Sequence, residues 1–127
     1  MLAHQANSSK DMNSRGEKAM TNEEVLEVIR KAKEKGTTSL YLSGKQLTEL
    51  PPEIGQLSSL TELYVSDNQL SDLPEEFVQL TNLERLSLSE NELAELPAEI
   101  IQLSNLEYLG LSSNQLTVLP PELCNLE

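Results

Sequence analysis

The stretch from Leu60 to Asn82, LTELYVSDNQLSDLPEEFVQLTN, decides the organisation of this chain because the chain repeats it. Two near-copies follow: LERLSLSENELAELPAEIIQLSN at residues 83–105 and LEYLGLSSNQLTVLPPELCNLE at residues 106–127. A looser copy, TTSLYLSGKQLTELPPEIGQLSS, precedes it at residues 37–59. The copies are in phase with a period of 23 residues, so each residue has a repeat position from 1 to 23. We therefore predict four repeats, at 37–59, 60–82, 83–105 and 106–127.

Three residue types recur at fixed positions of the repeat. Aliphatic side chains, mostly leucine, recur at positions 1, 4, 6, 11, 14 and 21, except that position 1 of the first repeat is Thr37, and proline occupies position 15. Asparagine occupies position 9 in all repeats except the first, which has Lys45. A period of 20–29 residues with L-x-x-L-x-L-x-x-N-x-L is the signature of leucine-rich repeats, and residues 37–127 resemble that family. The resemblance implies a solenoid whose repeats pack on their neighbours.

The predicted fold class is an α/β solenoid, a short leucine-rich-repeat arc. Positions 4 and 6 of each strand are expected to point inward in a parallel, concave sheet. Leu-Pro at positions 14 and 15 ends the extended run and starts a helical or irregular convex return. The position-9 asparagines should satisfy backbone groups of the turn and are the predicted structural residues, namely Asn68, Asn91 and Asn114.

A different pattern precedes the repeats. Residues 1–20 are polar and lack apolar periodicity, so they are predicted to be a disordered tail. Residues 21–36 are predicted to be a helix, with Thr21 and Glu24 forming a capping box and Gly36 supplying a left-handed exit. Its apolar face is expected to cover the first repeat as a terminal cap. The alternative for this helix is a segment that binds a partner or a membrane surface.

Charge and cysteine content restrict the class of partner and the compartment. The net charge is −12, and residues 37–127 carry two basic residues, Lys45 and Arg85, against fifteen acidic ones. This surface disfavours nucleic acid and favours a protein with a basic surface. The single cysteine, Cys124, predicts a reducing compartment, and no apolar run predicts a signal peptide or a membrane span. We expect a cytoplasmic protein.

The sequence offers no arrangement typical of an enzyme or a metal site. His4 lies in the predicted tail and Cys124 has no histidine near it in the repeats, so no nucleophile–base pair is predicted. Glutamate recurs at position 17, but stacked repeats would spread its oxygens along a line, whereas Ca²⁺ needs them to converge. These glutamates are Glu53, Glu76, Glu99 and Glu122. We predict no catalytic residue, no metal and no cofactor.

The candidate binding site is the concave face, formed by positions 3, 5 and 7 of the strands. All three tyrosines and the only arginine after residue 36 fall there, and these residue types often carry interface energy. The predicted partner-binding residues are Tyr41, Glu62, Tyr64, Arg85, Ser87 and Tyr108.

The 23-residue form with L-P-x-x-I-x-x-L is similar to intracellular repeats of the Ras-group type, as in bacterial leucine-rich-repeat and Roco-type proteins. That resemblance implies a signalling scaffold and a small GTPase as one possible partner. The primary hypothesis is a protein–protein interaction module. One alternative is the N-terminal regulatory fragment of a larger protein such as a Roco-type GTPase, although no G-x-x-x-x-G-K-[ST] occurs here. The other is a self-assembling structural protomer that associates through an uncapped last repeat.

Overall fold

The structure is a computed structural model that describes residues 19–97, 100 and 102–116. Within this part of the chain, one α-helix precedes four strands of three residues each, and two 3₁₀ helices connect the first three strands. The helix is α1 (Asn22–Lys35), the strands are β1 (Ser39–Tyr41), β2 (Glu62–Tyr64), β3 (Arg85–Ser87) and β4 (Tyr108–Gly110), and the 3₁₀ helices are Pro52–Gln56 and Glu75–Gln79.

The described strands form one parallel sheet in the order β1-β2-β3-β4. Each residue pairs with the residue at the same repeat position of the next strand, as Leu40 does with Leu63 and Leu86 with Leu109. Because the register equals the repeat length, every repeat position becomes a row across the sheet. The observed architecture confirms the predicted α/β solenoid.

The core lies between the sheet and the 3₁₀ helices and consists of rows of aliphatic side chains. Position 4, within β1, β2 and β3, is buried, and so is position 6, just after each of these strands, as predicted. In the fourth repeat the same positions, Leu109 and Leu111, are only half-buried, and Gly110 between them is buried. The predicted inward pair of the last strand is therefore less covered than its counterparts.

Helix α1 begins and ends as the sequence predicts. The Thr21 side chain accepts a hydrogen bond from the Glu24 amide at 3.1 Å, and the Glu24 carboxylate accepts one from the Thr21 amide at 2.9 Å. Gly36 ends the helix with a φ of 61°, a conformation that glycine adopts without the steric cost of a Cβ atom. The buried face packs on the first repeat through Val25, Ile29 and Ala32.

Met20 lies in the segment predicted to be a tail, yet it contacts the first repeat. Its amide donates to the Lys45 carbonyl at 2.9 Å, and its side chain packs against the core. The remainder of that segment, residues 1–18, lies outside the described residues, as does Cys124. The packed region therefore includes at least Met20 in addition to the helix.

The asparagine column comprises Asn68, Asn91 and Asn114, and it connects adjacent repeats. Asn68 Oδ1 accepts from the amides of Lys45 and Leu47 in the preceding repeat, at 3.0 and 2.9 Å. Its Nδ2 donates to the carbonyls of Leu42, in that repeat, and Val65, in its own.

The other two asparagines repeat this geometry. Asn91 accepts from the Leu70 amide and Asn114 from the Leu93 amide, each at 3.0 Å. Each asparagine thus satisfies backbone groups of two turns, rather than those of its own turn alone.

A left-handed residue stands immediately before each position-9 residue, and the sequence analysis did not predict it. Position 8 has a φ of 70° at Gly44, 57° at Asp67 and 58° at both Glu90 and Ser113. Residues with a Cβ atom rarely adopt this conformation, so the surrounding hydrogen bonds must hold it. The glycine at position 8 of the first repeat was the one sequence signal for this turn.

Candidate functional site

The six predicted partner-binding residues lie together on the exposed face of the sheet. We call this surface the concave strip: Tyr41, Glu62, Tyr64, Arg85, Ser87 and Tyr108. The register places them in two adjacent rows. Position 3 is the row Ser39–Glu62–Arg85–Tyr108 and position 5 is the row Tyr41–Tyr64–Ser87–Gly110. The period-2 alternation of each strand explains why the inward leucines separate these two rows.

Two tyrosines stack at the β1–β2 end of the strip. The rings of Tyr41 and Tyr64 have centroids 5.0 Å apart and planes 5° from parallel. They can stack because they occupy the same repeat position on adjacent strands, whose separation is about 4.8 Å. Tyr41 remains 66% exposed, so the pair presents a rigid aromatic surface to solvent.

Glu62 ties the tyrosine pair to the position-3 row. Its Oε1 accepts hydrogen bonds from the Tyr64 hydroxyl at 2.9 Å and from the Ser39 hydroxyl at 3.4 Å. The Glu62 carboxylate, helped by partial desolvation, raises the pKa of the Tyr64 hydroxyl above its ordinary value, while Arg85 acts in the opposite direction. Glu62, Tyr64 and Arg85 are therefore electrostatically coupled.

Arg85 and Tyr108 form the other end of the strip. The Arg85 Cζ atom lies over the Tyr108 ring, 4.7 Å from its centroid, which is the geometry of a cation–π contact. The Tyr108 side chain lies across Gly110: a Cβ atom added there would come within 2.9 Å of the Tyr108 hydroxyl. Glycine at position 5 of β4 thus makes room for the ring that supports Arg85.

Serines border the middle of the strip. The Ser87 hydroxyl contacts that of Ser66, and the Ser112 hydroxyl donates to that of Ser89 at 3.1 Å. Because Ser87 is small, the position-5 row carries no bulky side chain on β3 next to the Tyr41–Tyr64 stack. The strip therefore has aromatic side chains towards both ends and small hydroxyl-bearing side chains between them.

Sequence reasoning identified the members of the strip but missed two supporting residues. Ser39 donates to Glu62, and Gly110 accommodates the Tyr108 ring. Both occupied the predicted concave rows, yet neither was selected as a site residue. The signal for Ser39 was Glu62 at the same position on the next strand. The signal for Gly110 was Tyr108, two residues earlier on the same strand, because a glycine there leaves space for a large ring.

No three His, Cys, Asp and Glu side chains of the described residues are grouped so that they could hold a metal ion. Glu53 and Glu76 of the predicted glutamate column are described, whereas Glu99, Glu122 and His4 are not. No helix in this part of the chain has the length and hydrophobicity of a membrane span.

Comparisons with known proteins agree with this geometry. The sequence model of the leucine rich repeat family matches residues 35–93 and 81–126. A search of curated proteins gives no match.

Two solved structures are similar to the chain. A leucine-rich-repeat protein of Leptospira interrogans shares 49% identity over 68% of this chain, with a TM-score of 0.65. The leucine-rich-repeat domain of a Shigella effector shares 26% identity over 94% of the chain, with a TM-score of 0.64.

The chain spans only part of those two proteins, covering 22% of the Leptospira chain and 50% of the Shigella chain. Its own repeats nevertheless lie almost wholly within the two matched ranges, which together extend over residues 35–126. The sequence period, the parallel sheet with a register of one repeat, and these matches lead to one conclusion: the chain belongs to the leucine-rich-repeat family.

Proposed function

We propose that the chain is a non-enzymatic module that binds a partner protein on the concave strip. One observation carries this proposal: four adjacent strands bring the tyrosines and Arg85 into a continuous set of contacts. Tyr41 stacks on Tyr64, Tyr64 donates to Glu62, and Arg85 lies over Tyr108. Leucine-rich repeats typically serve as protein-interaction modules and use their concave surfaces to do so.

The contacts within the strip favour binding because they reduce its entropic cost. An exposed tyrosine or arginine loses rotamer freedom when a partner immobilises it, at about 0.5–1.5 kcal/mol per side chain. In the strip, Tyr64 is already held by Tyr41 and Glu62, and Arg85 by Tyr108. Tyrosine and arginine are also the residue types that dominate measured binding energies. A partner would therefore meet a surface that is largely pre-ordered.

Charge supports a basic partner protein. The repeats carry thirteen more acidic than basic residues, and exposed carboxylates flank the strip at Glu84, Glu90 and Glu107. Such a surface attracts a basic partner and repels the phosphates of nucleic acids. The single cysteine favours a reducing compartment, so the cytoplasm is the location that we propose. A small GTPase as partner rests on the Ras-group resemblance alone.

The experiment is capture of partners by the immobilised protein, followed by titration of each purified partner. The double variant Tyr64→Ala, Arg85→Ala should weaken binding by more than about 1 kcal/mol per residue while leaving the fold intact. Glu75→Ala is the matched control, since Glu75 is exposed on the second 3₁₀ helix, on the opposite side of the core. A partner that binds the double variant and the parent equally well would contradict the proposal.

A second candidate is that the module is one part of a larger signalling protein, such as a Roco-type GTPase. The observation that favours it is the extent of the similar structures, since the chain covers 22% and 50% of their lengths. The test is the intact mass of the protein isolated from its source, compared with 14.1 kDa for this chain. A mass of 14.1 kDa would exclude the larger protein. Self-association, the third hypothesis, would appear in sedimentation as a mass that increases with concentration.

A further inference from the structure

Arg85 stands out on the concave strip because its surroundings are acidic. It is the only lysine or arginine among residues 46–127, and its side chain is exposed. Among the described residues it forms no ion pair. Arg30 on helix α1 behaves differently, since its guanidinium contacts the carboxylates of Glu27 at 2.5 Å and Glu34 at 2.7 Å.

The carboxylate paired with Arg85 in register makes its hydrogen bonds to other side chains. Glu62 is paired with Arg85 across β2 and β3, where opposite charges commonly interact. Its Oε1 instead accepts from Tyr64 and Ser39. Arg85 instead lies over the Tyr108 ring and near the Tyr64 hydroxyl. The strip thus holds a guanidinium in place without giving it a carboxylate.

A cation–π contact leaves most of the binding capacity of a guanidinium unused. The ring attracts the positive charge, whereas a carboxylate is bound through the N–H donors, which form a planar fork. Arg85 therefore retains donors for an oxygen anion while Tyr108 limits its rotamers. The Arg85 guanidinium held by Tyr108 is therefore a subsite whose unused donors suit a single carboxylate.

The charges around the subsite restrict what can carry that carboxylate. Glu62 lies on β2, and Glu84 and Glu107 immediately precede β3 and β4, so a ligand with many negative charges would be repelled. A ligand with one carboxylate among positive charges matches both Arg85 and its acidic surroundings. A basic protein segment that contains a single Asp or Glu has this charge pattern.

The size of the strip indicates how such a segment would lie. From β1 to β3 is two strand spacings, about 10 Å, which three residues of extended peptide span. The strip is much smaller than the roughly 800 Å² per partner that a stable interface between globular proteins buries. An extended segment, rather than a broad globular surface, therefore fits the space between Tyr41 and Arg85.

We propose that Arg85 binds the carboxylate of an Asp or Glu side chain within a basic, extended segment of the partner, which lies along the strip. This proposal rests on the proposed function, because it requires the strip to be a protein-binding surface. It adds the chemistry of the partner and its placement: the carboxylate at β3 and an apolar or cationic side chain against the Tyr41–Tyr64 stack. That arrangement also determines the orientation of the segment across the sheet.

The test uses two synthetic nine-residue peptides that are rich in Lys and Arg and differ only in a central Glu or Gln. NMR titration of the full chain measures affinity and reports on the Arg85 Nε–Hε group and the tyrosine rings. The parent protein should bind the Glu peptide about two- to fivefold more tightly than the Gln peptide, the range typical of an exposed ion pair. The preference should disappear in Arg85→Gln and persist in Arg30→Gln, the matched control.

The possible failures are distinguishable. If both peptides bind the strip with equal affinity, the carboxylate subsite is wrong and the proposed binding surface remains. If Arg85→Gln weakens the binding of both peptides equally, Arg85 contributes to binding without contacting the carboxylate, and the proposed subsite is again contradicted. If neither peptide shifts resonances of the strip, the strip does not bind basic segments and the carboxylate proposal fails, whereas the proposed function is decided by the capture experiment. A spectrum of Arg85→Gln with the dispersion of the parent confirms that the variant is folded.

Discussion

The asparagine column follows the turns beyond the strands, whereas the concave strip crosses the strands themselves, and the two differ in burial and in composition. The column repeats one residue type, and Asn68 and Asn91 are only 8% and 7% exposed. Its side chains bond to backbone groups of two successive repeats. The strip has a different residue on almost every strand and is held by contacts between side chains.

This difference separates the requirements of the fold from those of binding. A backbone group in a turn is the same in every repeat, so one residue type satisfies it each time. Buried polar groups must be paired because leaving them unpaired costs about 1–3 kcal/mol. The exposed rows meet no such requirement, so their residues can vary with the surface that a partner needs. Uniform rows within the chain therefore reflect a requirement of the fold, whereas varied exposed rows are free of that requirement.

The largest expected effect is on the column. Asn91→Ala should reduce the free energy of unfolding by about 1–3 kcal/mol, because the buried Leu70 amide loses its acceptor and the Val65 and Leu88 carbonyls each lose one of two donors. Chemical denaturation of the parent and the variant measures this change.

Lys45→Ala is the matched control, since Lys45 occupies the same repeat position in the first repeat. Asn68 already accepts from the backbone amides of this turn, so the free energy of unfolding should fall by no more than about 0.5 kcal/mol. Equal losses at the two sites would show that the side chain at position 9 does not have the role assigned to it.

A smaller effect is expected when the support of Arg85 is disturbed. Gly110→Ala places a methyl group 2.9 Å from the Tyr108 hydroxyl, so the ring must move and its contact with Arg85 changes. Because the end of a flexible side chain can shift, stability should fall by less than about 1 kcal/mol. Binding to the partner or the Glu peptide should weaken more than stability does.

Ser87→Ala is the control for that change, because it lies at the same repeat position on β3 and adds no bulk. It should leave the Tyr108 and Arg85 resonances close to their parent positions. If Gly110→Ala also left them unchanged in NMR spectra, the ring would not depend on the glycine.

The smallest effect concerns the ionisation of Tyr64. Glu62→Gln should lower the pKa of the Tyr64 hydroxyl, and Arg85→Gln should raise it further, because the two charges act in opposite directions. NMR titration of the Tyr64 ring measures both shifts. No change in either variant would contradict the coupling of these three residues.

The sign of the stability effect follows from the raised pKa. The folded protein holds the phenol proton more tightly than the unfolded chain, whose tyrosine pKa is about 10. The stabilisation is therefore complete below that pH and is lost as the pH rises through the pKa of the folded state. Glu62→Gln should make the decline of the free energy of unfolding in this window less steep.

Much of the fold was predictable because the repeat period specifies which residues pair. The helix before the repeats was predictable for another reason: the capping box of Thr21 and Glu24 and the Gly36 exit depend on neighbours in sequence, and the structure shows both. The hydrogen bonds from the Lys45 and Leu47 amides to the Asn68 side chain were not predicted, because they connect residues 23 and 21 positions apart. The left-handed turns at Asp67 and Glu90 were also missed, since neither residue type demands that conformation.

The sequence by itself determined the solenoid, the rows that face inward and the membership of the candidate site. A period of 23 residues with leucines at fixed positions admits one register, and that register assigns each residue to a row. Only the tertiary structure decided how members of the rows contact one another. The stacking of Tyr41 on Tyr64, the bond from Tyr64 to Glu62 and the placement of Arg85 over Tyr108 depend on side-chain rotamers and on space left by small neighbours such as Gly110. Rotamers respond to packing across strands, and a repeat pattern specifies which residues are neighbours without specifying how their side chains meet.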